Sequence, residues 1–365
     1  MKFSIERSKF LDALKNVQNI VPSKVSLPIL QNVLMDLKGN RLEMTTTDLD
    51  ISVKCTVECE GSEDGRTTLP VKFLFNSVAK MAEGKVSVEV DAEDSGRISA
   101  GSARFKLAGK SETDFPRLPE SVDSYVYSIE CQTFKEMLRK TAYAASQDDT
   151  RRTLKGVLLS FREMKLTMVA TDGRRLALVE KEMEFPKEAE KDIVLPSKAV
   201  QELQRIFDGE GQVKIRVQQT QACFETESAE IYTKLIEDVY PNYIQVIPRE
   251  CKERIVVERQ LLIDALERAS VMTMDEAHST RLTFEDNRLT VASSSSEIGY
   301  AKDEVPIKYA GEKLDIVFNP AYLLDPLKAI DDDEVKIELN DGHSPAVIRC
   351  SIPFLYVLMP LRISS

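Results

Sequence analysis

The sequence contains little histidine and no tryptophan. Its 365 residues include only two histidines, His278 and His343. Histidine is the side chain that most readily exchanges a proton near neutral pH, and it is also the commonest zinc ligand. Histidine-dependent catalysis and His-rich metal sites are therefore poor first hypotheses. We expect no cofactor and no metal.

Long apolar runs are absent as well. No stretch of the sequence approaches the ~20 apolar residues that cross a bilayer. The first ten residues carry charges at Lys2, Glu6, Arg7 and Lys9 and lack the apolar stretch of a signal peptide. These features predict a cytoplasmic protein without a membrane segment.

The six cysteines include no CxxC pair. A chain of this length does not need a disulfide framework to be stable, and free cysteine is among the most buried residue types. We therefore expect buried or half-buried thiols in a reducing compartment.

Positively charged residues are outnumbered by negatively charged ones. Lys and Arg total 49 against 60 Asp and Glu, which gives a net charge of −11. A protein that holds nucleic acid by bulk charge needs the opposite balance. The apolar fraction of 42% and charged fraction of 30% are typical of a globular protein.

Three short motifs suggest chemistry but lack a required part. Gly109-Lys110-Ser111 resembles the end of a phosphate-binding loop, but Arg104 stands where that loop needs its first glycine. The acidic run 331–334 lacks the spacing and glycine of an EF-hand. Thr171-Asp172-Gly173 fits a structural turn better than a catalytic acid.

An internal repeat organises the chain. Each third opens with a strand and an amphipathic helix, continues with a hairpin-like segment, and then has a second helix and further strands. Proline marks the start of each second helix, at Pro70, Pro196 and Pro320. The predicted helices are 8–20, 70–83, 133–146, 197–208, 259–272 and 319–331.

Proline-containing linkers close the first two copies, at 114–120 and 239–248. They predict three domains, at 1–121, 122–248 and 249–365.

Several segments resemble the bacterial DNA polymerase III beta subunits, the beta sliding clamps. They are KFSIER, SLPILQNVLMDL (26–37), TTTDLDISV (45–53), MVATDGRRLAL (168–178), VYPNYIQVIP and YVLMPLRI (356–363). The resemblance runs from Met1 to Ile363 without a large insertion. It implies an α+β DNA clamp fold in which each of three repeated domains has two helices and antiparallel sheets. It also implies that two chains close head to tail into a ring, with helices around a central hole and sheets outside.

The implied function is that of a processivity factor without catalytic activity. Such a clamp encircles double-stranded DNA without regard to sequence and is associated with the nucleoid. The predicted helices carry a small excess of Lys and Arg within the acidic chain, which suits a hole that tolerates DNA. Two alternatives are a monomeric DNA-associated scaffold and a DNA-acting enzyme, and the latter lacks the clustered acids that it would need.

The resemblance implies three sets of functional residues. The first set is the DNA-facing cations, which are Lys24, Lys72, Arg151, Arg152, Lys198 and Arg205. In this family an aromatic residue is often found where Arg152 or Thr153 stands here. The residues expected at the seam between two chains are Arg104, Phe105, Leu107, Val271, Met272, Glu297 and Glu304. Because serines occupy positions 293–296, the acidic side of this seam has few acidic residues.

The third set lines a cleft that takes a short linear motif. Its expected partners are the polymerase III alpha subunit, the clamp loader, other polymerases and repair proteins. Arg174 stands where relatives often have histidine. The cleft residues are Leu154, Thr171, Gly173, Arg174, Arg175, Leu176, Pro241, Val246, Val357, Met359, Pro360 and Leu361.

Overall fold

The computed structural model describes residues 1–22, 27–118, 125–207, 209–273, 279–295, 299–351 and 353–362. These residues form six α-helices and 25 β-strands. No helix among them is long and apolar enough to cross a membrane. The helices are α1 (Arg7–Gln18), α2 (Val71–Ala79), α3 (Cys131–Thr141), α4 (Ser197–Ile206), α5 (Arg259–Ser270) and α6 (Pro320–Ala329).

All six predicted helices are present, but each is shorter than its predicted range. The predicted α3 extends to 146, whereas the helix ends at Thr141 and a 3-10 turn follows at Ala142–Ala144. The Thr141 hydroxyl donates to the carbonyl of Met137 at 2.8 Å. Such back-bonding competes with a regular helix. Apolar spacing continues past this point, so periodicity alone extended the prediction too far.

The strands are short and numerous. In chain order they are β1 (Lys2–Glu6), β2 (Asn32–Lys38), β3 (Arg41–Thr47), β4 (Ile51–Glu58), β5 (Glu60–Glu63), β6 (Gly65–Pro70), β7 (Lys85–Val90), β8 (Ser95–Ala100), β9 (Ala103–Ala108), β10 (Val126–Glu130), β11 (Gly156–Arg162), β12 (Lys165–Thr171), β13 (Arg175–Glu182), β14 (Lys191–Pro196), β15 (Gln212–Val217), β16 (Gln221–Glu225), β17 (Ala229–Lys234), β18 (Glu253–Glu258), β19 (Thr280–Glu285), β20 (Arg288–Ser295), β21 (Gly299–Pro306), β22 (Leu314–Phe318), β23 (Glu334–Leu339), β24 (Ala346–Arg349) and β25 (Phe354–Leu358).

The chain forms two compact units. The first comprises Met1–Lys135 and Gln201–Leu235, and the second comprises Glu136–Val200 and Ile236–Ser365. The eight-stranded sheet of the first unit has the order β10-β15-β16-β17-β4-β3-β2-β6, and that of the second has the order β18-β23-β24-β25-β13-β12-β11-β14. The two orders correspond strand for strand. Each sheet combines strands from two consecutive repeats.

Each unit also contains a smaller antiparallel sheet. In the first unit the order is β5-β1-β7-β8-β9, and in the second it is β21-β20-β19-β22. Within the described residues, β9 and β21 each have one neighbouring strand and one open edge. An open edge exposes a row of backbone donors and acceptors.

Helices cover one face of the sheets. In the first unit α1 packs on β3 and β4 and buries Phe10, Leu14 and Val17. In the second unit α5 buries Leu262 and Leu266. Three- and four-residue spacing places these side chains on one helix face, as the sequence predicted. Removing a Leu side chain of this kind from water contributes about 1.5–3 kcal/mol.

Cysteine side chains are mostly shielded from solvent, as expected. Cys55, Cys59, Cys131 and Cys223 are buried, and Cys251 and Cys350 are half-buried.

Candidate functional site

The predicted cleft begins at the tight turn between β12 and β13. Asp172 Oδ1 accepts hydrogen bonds from the backbone N–H of Arg174 at 2.8 Å and of Arg175 at 3.0 Å. Gly173 has a φ of +86°, and a Cβ there would lie 3.1 Å from Arg151 Nη1. Asp48 closes the matching turn of the first unit in the same way, through Asp50 and Ile51. The prediction that Thr171-Asp172-Gly173 is a structural turn is thus confirmed.

Arg175 lies at the centre of a polar network in the second unit. Its Nε donates to Asp172 Oδ2 at 3.1 Å, its Nη2 donates to the carbonyl of Tyr143 at 2.6 Å, and its Nη1 donates to Asp325. The guanidinium carbon also lies 4.2 Å from the ring centroid of Tyr322. The Arg175 side chain is 10% exposed, so this cation is held between two carboxylates and an aromatic face.

The network fixes the charge of Arg175. Burial acts against the charged guanidinium, but Tyr356, Asp325 and Asp172 outweigh it and raise the pKa of Arg175. Burial also acts against the charged form of Tyr143, and it therefore raises the pKa of this side chain well above its usual value. The Tyr143 hydroxyl is buried and has no hydrogen-bond partner among the described residues. These groups therefore hold one charge state and have no proton to exchange near neutral pH.

The floor of the cleft is apolar. Leu176 of β13 and Val357 of β25 are opposite each other across the sheet, and both are 2% exposed. They belong to a buried cluster with Leu158, Val169 and Val347. The linker (residues 239–248) crosses this face, and its half-buried side chains Tyr240, Tyr243 and Ile247 pack against the cluster. The floor is thus a rigid sheet surface, which is a suitable base for a binding site.

The C-terminal segment forms one wall. The Met359 N–H donates to the carbonyl of Arg174 at 2.9 Å, and the Leu361 N–H donates to the carbonyl of Val317 at 2.8 Å. Their side chains nevertheless remain accessible, since Met359 is 43% exposed and Leu361 is 37% exposed. A backbone that is held while its apolar side chains face solvent is a feature of a binding surface.

The structure brings most of the predicted cleft residues together. Residues 171, 173–176, 357 and 359–361 lie on or next to the paired strands β12, β13 and β25. The other three lie in connecting segments. Leu154 is half-buried in the 3-10 turn Arg152–Lys155, Pro241 is exposed, and Val246 is exposed at the end of the 3-10 turn Tyr243–Val246.

The predicted DNA-facing cations have different environments. Lys72 on α2, Arg152 before β11 and Lys198 on α4 are exposed. Arg151 is exposed too, but it donates to the carbonyl of Asp172 at 3.2 Å beside the cleft. Arg205 donates to the carbonyls of Lys15 and Asn16 and therefore joins α4 to the end of α1. Lys24 lies outside the described residues.

Six of the predicted seam residues lie on the open-edge strands β9 and β21 or at the end of α5. Arg104, Phe105 and Leu107 are on β9, and Glu304 is on β21. Val271 and Met272 follow α5, which ends at Ser270, so their predicted place on that helix was wrong. Glu297 lies outside the described residues.

Two seam charges have partners within the chain. Glu304 is 2.8 Å from Lys302 and 3.4 Å from Arg288, and Arg104 donates to the carbonyls of Gly101 and Ala103.

The described residues contain no group of three or more His, Cys, Asp or Glu side chains placed to bind a metal. Asp331, at the start of the acidic run, pairs with Arg139. The backbone N–H of Ser351 donates to Asp332 at 3.0 Å.

Sequence reasoning missed the aromatic and acidic residues around Arg175. Tyr143 lies in the 3-10 turn Ala142–Ala144, and Tyr322 and Asp325 lie on α6, so only the folded chain brings them to one cation. One signal was available: a proline, Pro326, follows Asp325 inside a predicted helix.

The fold defines a three-repeat protein of the sliding-clamp class. Three family models match the chain, for the DNA polymerase III beta subunit N-terminal domain (residues 1–119), central domain (128–242) and C-terminal domain (244–362). The chain therefore belongs to the DNA polymerase III beta subunit family. As a member it is a DNA polymerase sliding clamp, a processivity factor that is not itself an enzyme.

Individual relatives match over the whole chain. The beta sliding clamp of Chlamydia muridarum is 31% identical over 363 residues, covering 100% of this chain and 99% of that protein. Two crystal structures of sliding clamps bound to griselimycin match with full coverage of both chains. The Pseudomonas aeruginosa clamp has a TM-score of 0.94 at 30% identity, and the Bartonella birtlesii clamp has 0.94 at 32%.

Proposed function

We propose that two copies of this chain close head to tail into a ring around duplex DNA. The observation that carries this proposal is the pair of open edges, β9 and β21. In the second unit β25 pairs with β13, and in the first unit β17 pairs with β4. By position in the repeat, β9 corresponds to β25 and β21 corresponds to β13. Pairing β9 of one copy with β21 of another therefore completes a third sheet of the same order.

Apolar side chains support this pairing. Phe105 on β9 is 36% exposed, Val271 after α5 is 56% exposed, and Tyr300 on β21 is 79% exposed. Arg104 and Glu304 already have partners within the chain, so the seam depends chiefly on burial of apolar area. A head-to-tail contact closes into a ring when its rotation allows.

The helices suit a DNA-facing surface. Helices α1–α4 contain nine Lys or Arg and three Asp or Glu, whereas α5 and α6 contain three of each. We assign phosphate contacts to Lys72, Arg152 and Lys198, and we add the exposed Lys9 and Lys15 of α1. Arg205 is left out because it caps α1. Few, exchangeable contacts hold DNA without regard to sequence and permit sliding.

The cleft is proposed to bind a short peptide motif of the polymerase III alpha subunit, the clamp loader, and other polymerases and repair proteins. Its apolar floor and exposed Met359 suit anchoring Leu or Phe side chains. The network around Arg175 holds its wall in place. The relatives bound to griselimycin show that clamps of this fold accept a ligand.

We retain domain boundaries at 121/122 and 248/249 as a proposal. The first two family matches lie within the first two domains, whereas the third match begins at 244, ahead of the proposed boundary. Action on chromosomal DNA would place the protein in the cytoplasm, at the nucleoid.

Retention on DNA tests the proposal. The protein is loaded onto nicked circular DNA with a clamp loader and ATP, and the DNA is then linearised. A ring stays on circles and slides off linear ends. Protein that remains on linear DNA binds by contact, which would overturn the ring. The Phe105→Glu protein should be retained poorly on circular DNA. Met164→Glu is the control, because Met164 is exposed and lies on neither β9 nor β21, and it should behave like the unsubstituted protein.

A further inference from the structure

A second cavity adjoins the cleft in the second unit. It has a volume of about 480 Å³ and lies on the same sheet face. Leu178 and Leu355 form its floor, and Tyr243, Ile244 and Ile247 of the linker form one side. We call this set the flanking pocket. None of its residues was predicted as functional.

The flanking pocket continues the floor of the cleft. On β13, Leu176 belongs to the cleft and Leu178 to the flanking pocket, and side chains two residues apart share a sheet face. On β25 the same relation holds between Val357 and Leu355, which are the cross-strand partners of Leu176 and Leu178. The two sites are therefore about 7 Å apart along the strands. An extended peptide covers that distance in two or three residues.

Charges at the rim are already neutralised. Lys165 is 2.8 Å from Glu180, Arg162 is 2.9 Å from Asp192, and Arg349 is 3.1 Å from Glu338. A charged ligand would have to displace one of these partners. The cavity accordingly favours an uncharged apolar side chain.

The first unit shows that the fold does not require an apolar pocket here. Its β4 and β17 correspond to β13 and β25, and the cross-strand pair matching Leu178 and Leu355 is Lys54 and Glu230. Lys54 Nζ lies 3.0 Å from Glu230 and 3.4 Å from Glu43. One chain thus places an ion pair at this position in one unit and two leucines in the other. The apolar pocket is a property of this sequence at this place.

The linker places exposed apolar side chains at both sites. Ile244 is 67% exposed and lines the flanking pocket, and Val246 is 50% exposed at the cleft. The 3-10 turn Tyr243–Val246 therefore presents one apolar side chain to each site. Pro241 and Asn242 between the two packed tyrosines are exposed, so a peptide can pass over the linker there.

We propose that the flanking pocket binds an apolar side chain of the partner segment next to the motif that occupies the cleft. This inference rests on the proposed function of the cleft. It extends the recognised segment beyond the motif and gives the clamp a means of ranking partners that share one motif. The ligand is a leucine-like or phenylalanine-like residue two or three positions from the motif.

Three labelled peptides test this by fluorescence polarisation with the full chain. The short peptide contains one Gln with Leu and Phe anchors. The second extends it on both sides with one Leu in each flank, and the third replaces these Leu residues with Ser. We expect the Leu-flanked peptide to bind about tenfold more tightly than the Ser-flanked peptide, which corresponds to about 1.4 kcal/mol.

Two surface variants localise the effect. Ile244→Asp should remove the difference between the two extended peptides and leave the short peptide unchanged. Val239→Asp is the matched control, since Val239 is 92% exposed on the same linker and does not line the pocket. The double variant Leu178→Lys, Leu355→Glu copies the ion pair of the first unit and should also remove the difference.

The outcomes separate this inference from the function on which it rests. If the short peptide binds and the two extended peptides bind with equal affinity, peptide binding at the cleft is supported and binding of a side chain in the flanking pocket is contradicted. A Leu preference that survives Ile244→Asp and the double variant would also overturn it. If none of the three peptides binds, the proposed peptide binding at the cleft is contradicted, and so is the inference that rests on it.

Discussion

Arg175 shows how much of the cleft depends on one side chain. Its guanidinium joins the β12–β13 turn to Asp325 of α6 and to the carbonyl of Tyr143. Removing a buried cation leaves its carboxylate partners without compensation, which costs more than the ion pair itself contributes. We therefore propose that Arg175 has a positioning role in the peptide site, although sequence reasoning placed it among the lining residues.

We expect Arg175→Ala to lower the free energy of unfolding by about 3 kcal/mol and to weaken binding of the short peptide. Urea denaturation and fluorescence polarisation measure the two effects. Arg174→Ala is the control for stability, because Arg174 is exposed and bonds to Asp172 and Met359 through its backbone. Equal stability of the two variants would contradict the structural role of Arg175.

The cysteines give a second prediction at this scale. Burial raises the pKa of Cys55 to about 12 and of Cys223 to about 11. Since only the thiolate reacts, at about pH 8 these two should resist iodoacetamide in the folded protein. The half-buried Cys251 and Cys350 should be alkylated first, as read by mass spectrometry. Early labelling of Cys55 would mean that the first unit opens locally.

At the scale of elements, the segment after β25 combines a held backbone with exposed side chains. Truncation after Leu358 removes Met359, Pro360 and Leu361 together with the hydrogen bonds to Arg174 and Val317. We expect binding of the short peptide to be lost while the protein remains dimeric by sedimentation. Removal of residues 363–365 alone is the control. Unchanged peptide affinity after the longer truncation would contradict the assignment of these three residues to the cleft.

The elements also show what could be predicted from sequence. Periodicity located all six helices, because three- and four-residue spacing records which helix face is buried. Helix ends were overextended, since local bonds such as Thr141 to Met137 end a helix without changing that spacing. The contacts of Arg205 and the flanking pocket could not be predicted, because each joins residues that are distant in sequence.

At the scale of the whole molecule, the ring depends on contacts between copies. We expect Phe105→Glu to raise the dimer dissociation constant at least about tenfold, since it places a charge where apolar area is to be buried. Sedimentation over a dilution series should show species near the single-chain mass of 41.1 kDa. Met164→Glu should leave the constant unchanged. A Phe105→Glu protein as dimeric as its parent would place the contact elsewhere.

Salt separates binding by topology from binding by contact. Affinity for short linear DNA should fall steeply as salt rises, because each phosphate contact releases counterions. Rings loaded on closed circular DNA should stay on that DNA at the same high salt concentration. Filter retention of the two DNA forms makes the comparison, and equal losses would contradict retention by topology.

The open edges β9 and β21 have a consequence for assembly. A strand edge joins one copy to the next but contains no information about how many copies follow. The number of copies in the ring is therefore set by the angle that each chain turns through between its two ends. A substitution that leaves both edges intact but changes this angle would produce a larger ring or an open filament, with every contact between neighbours preserved.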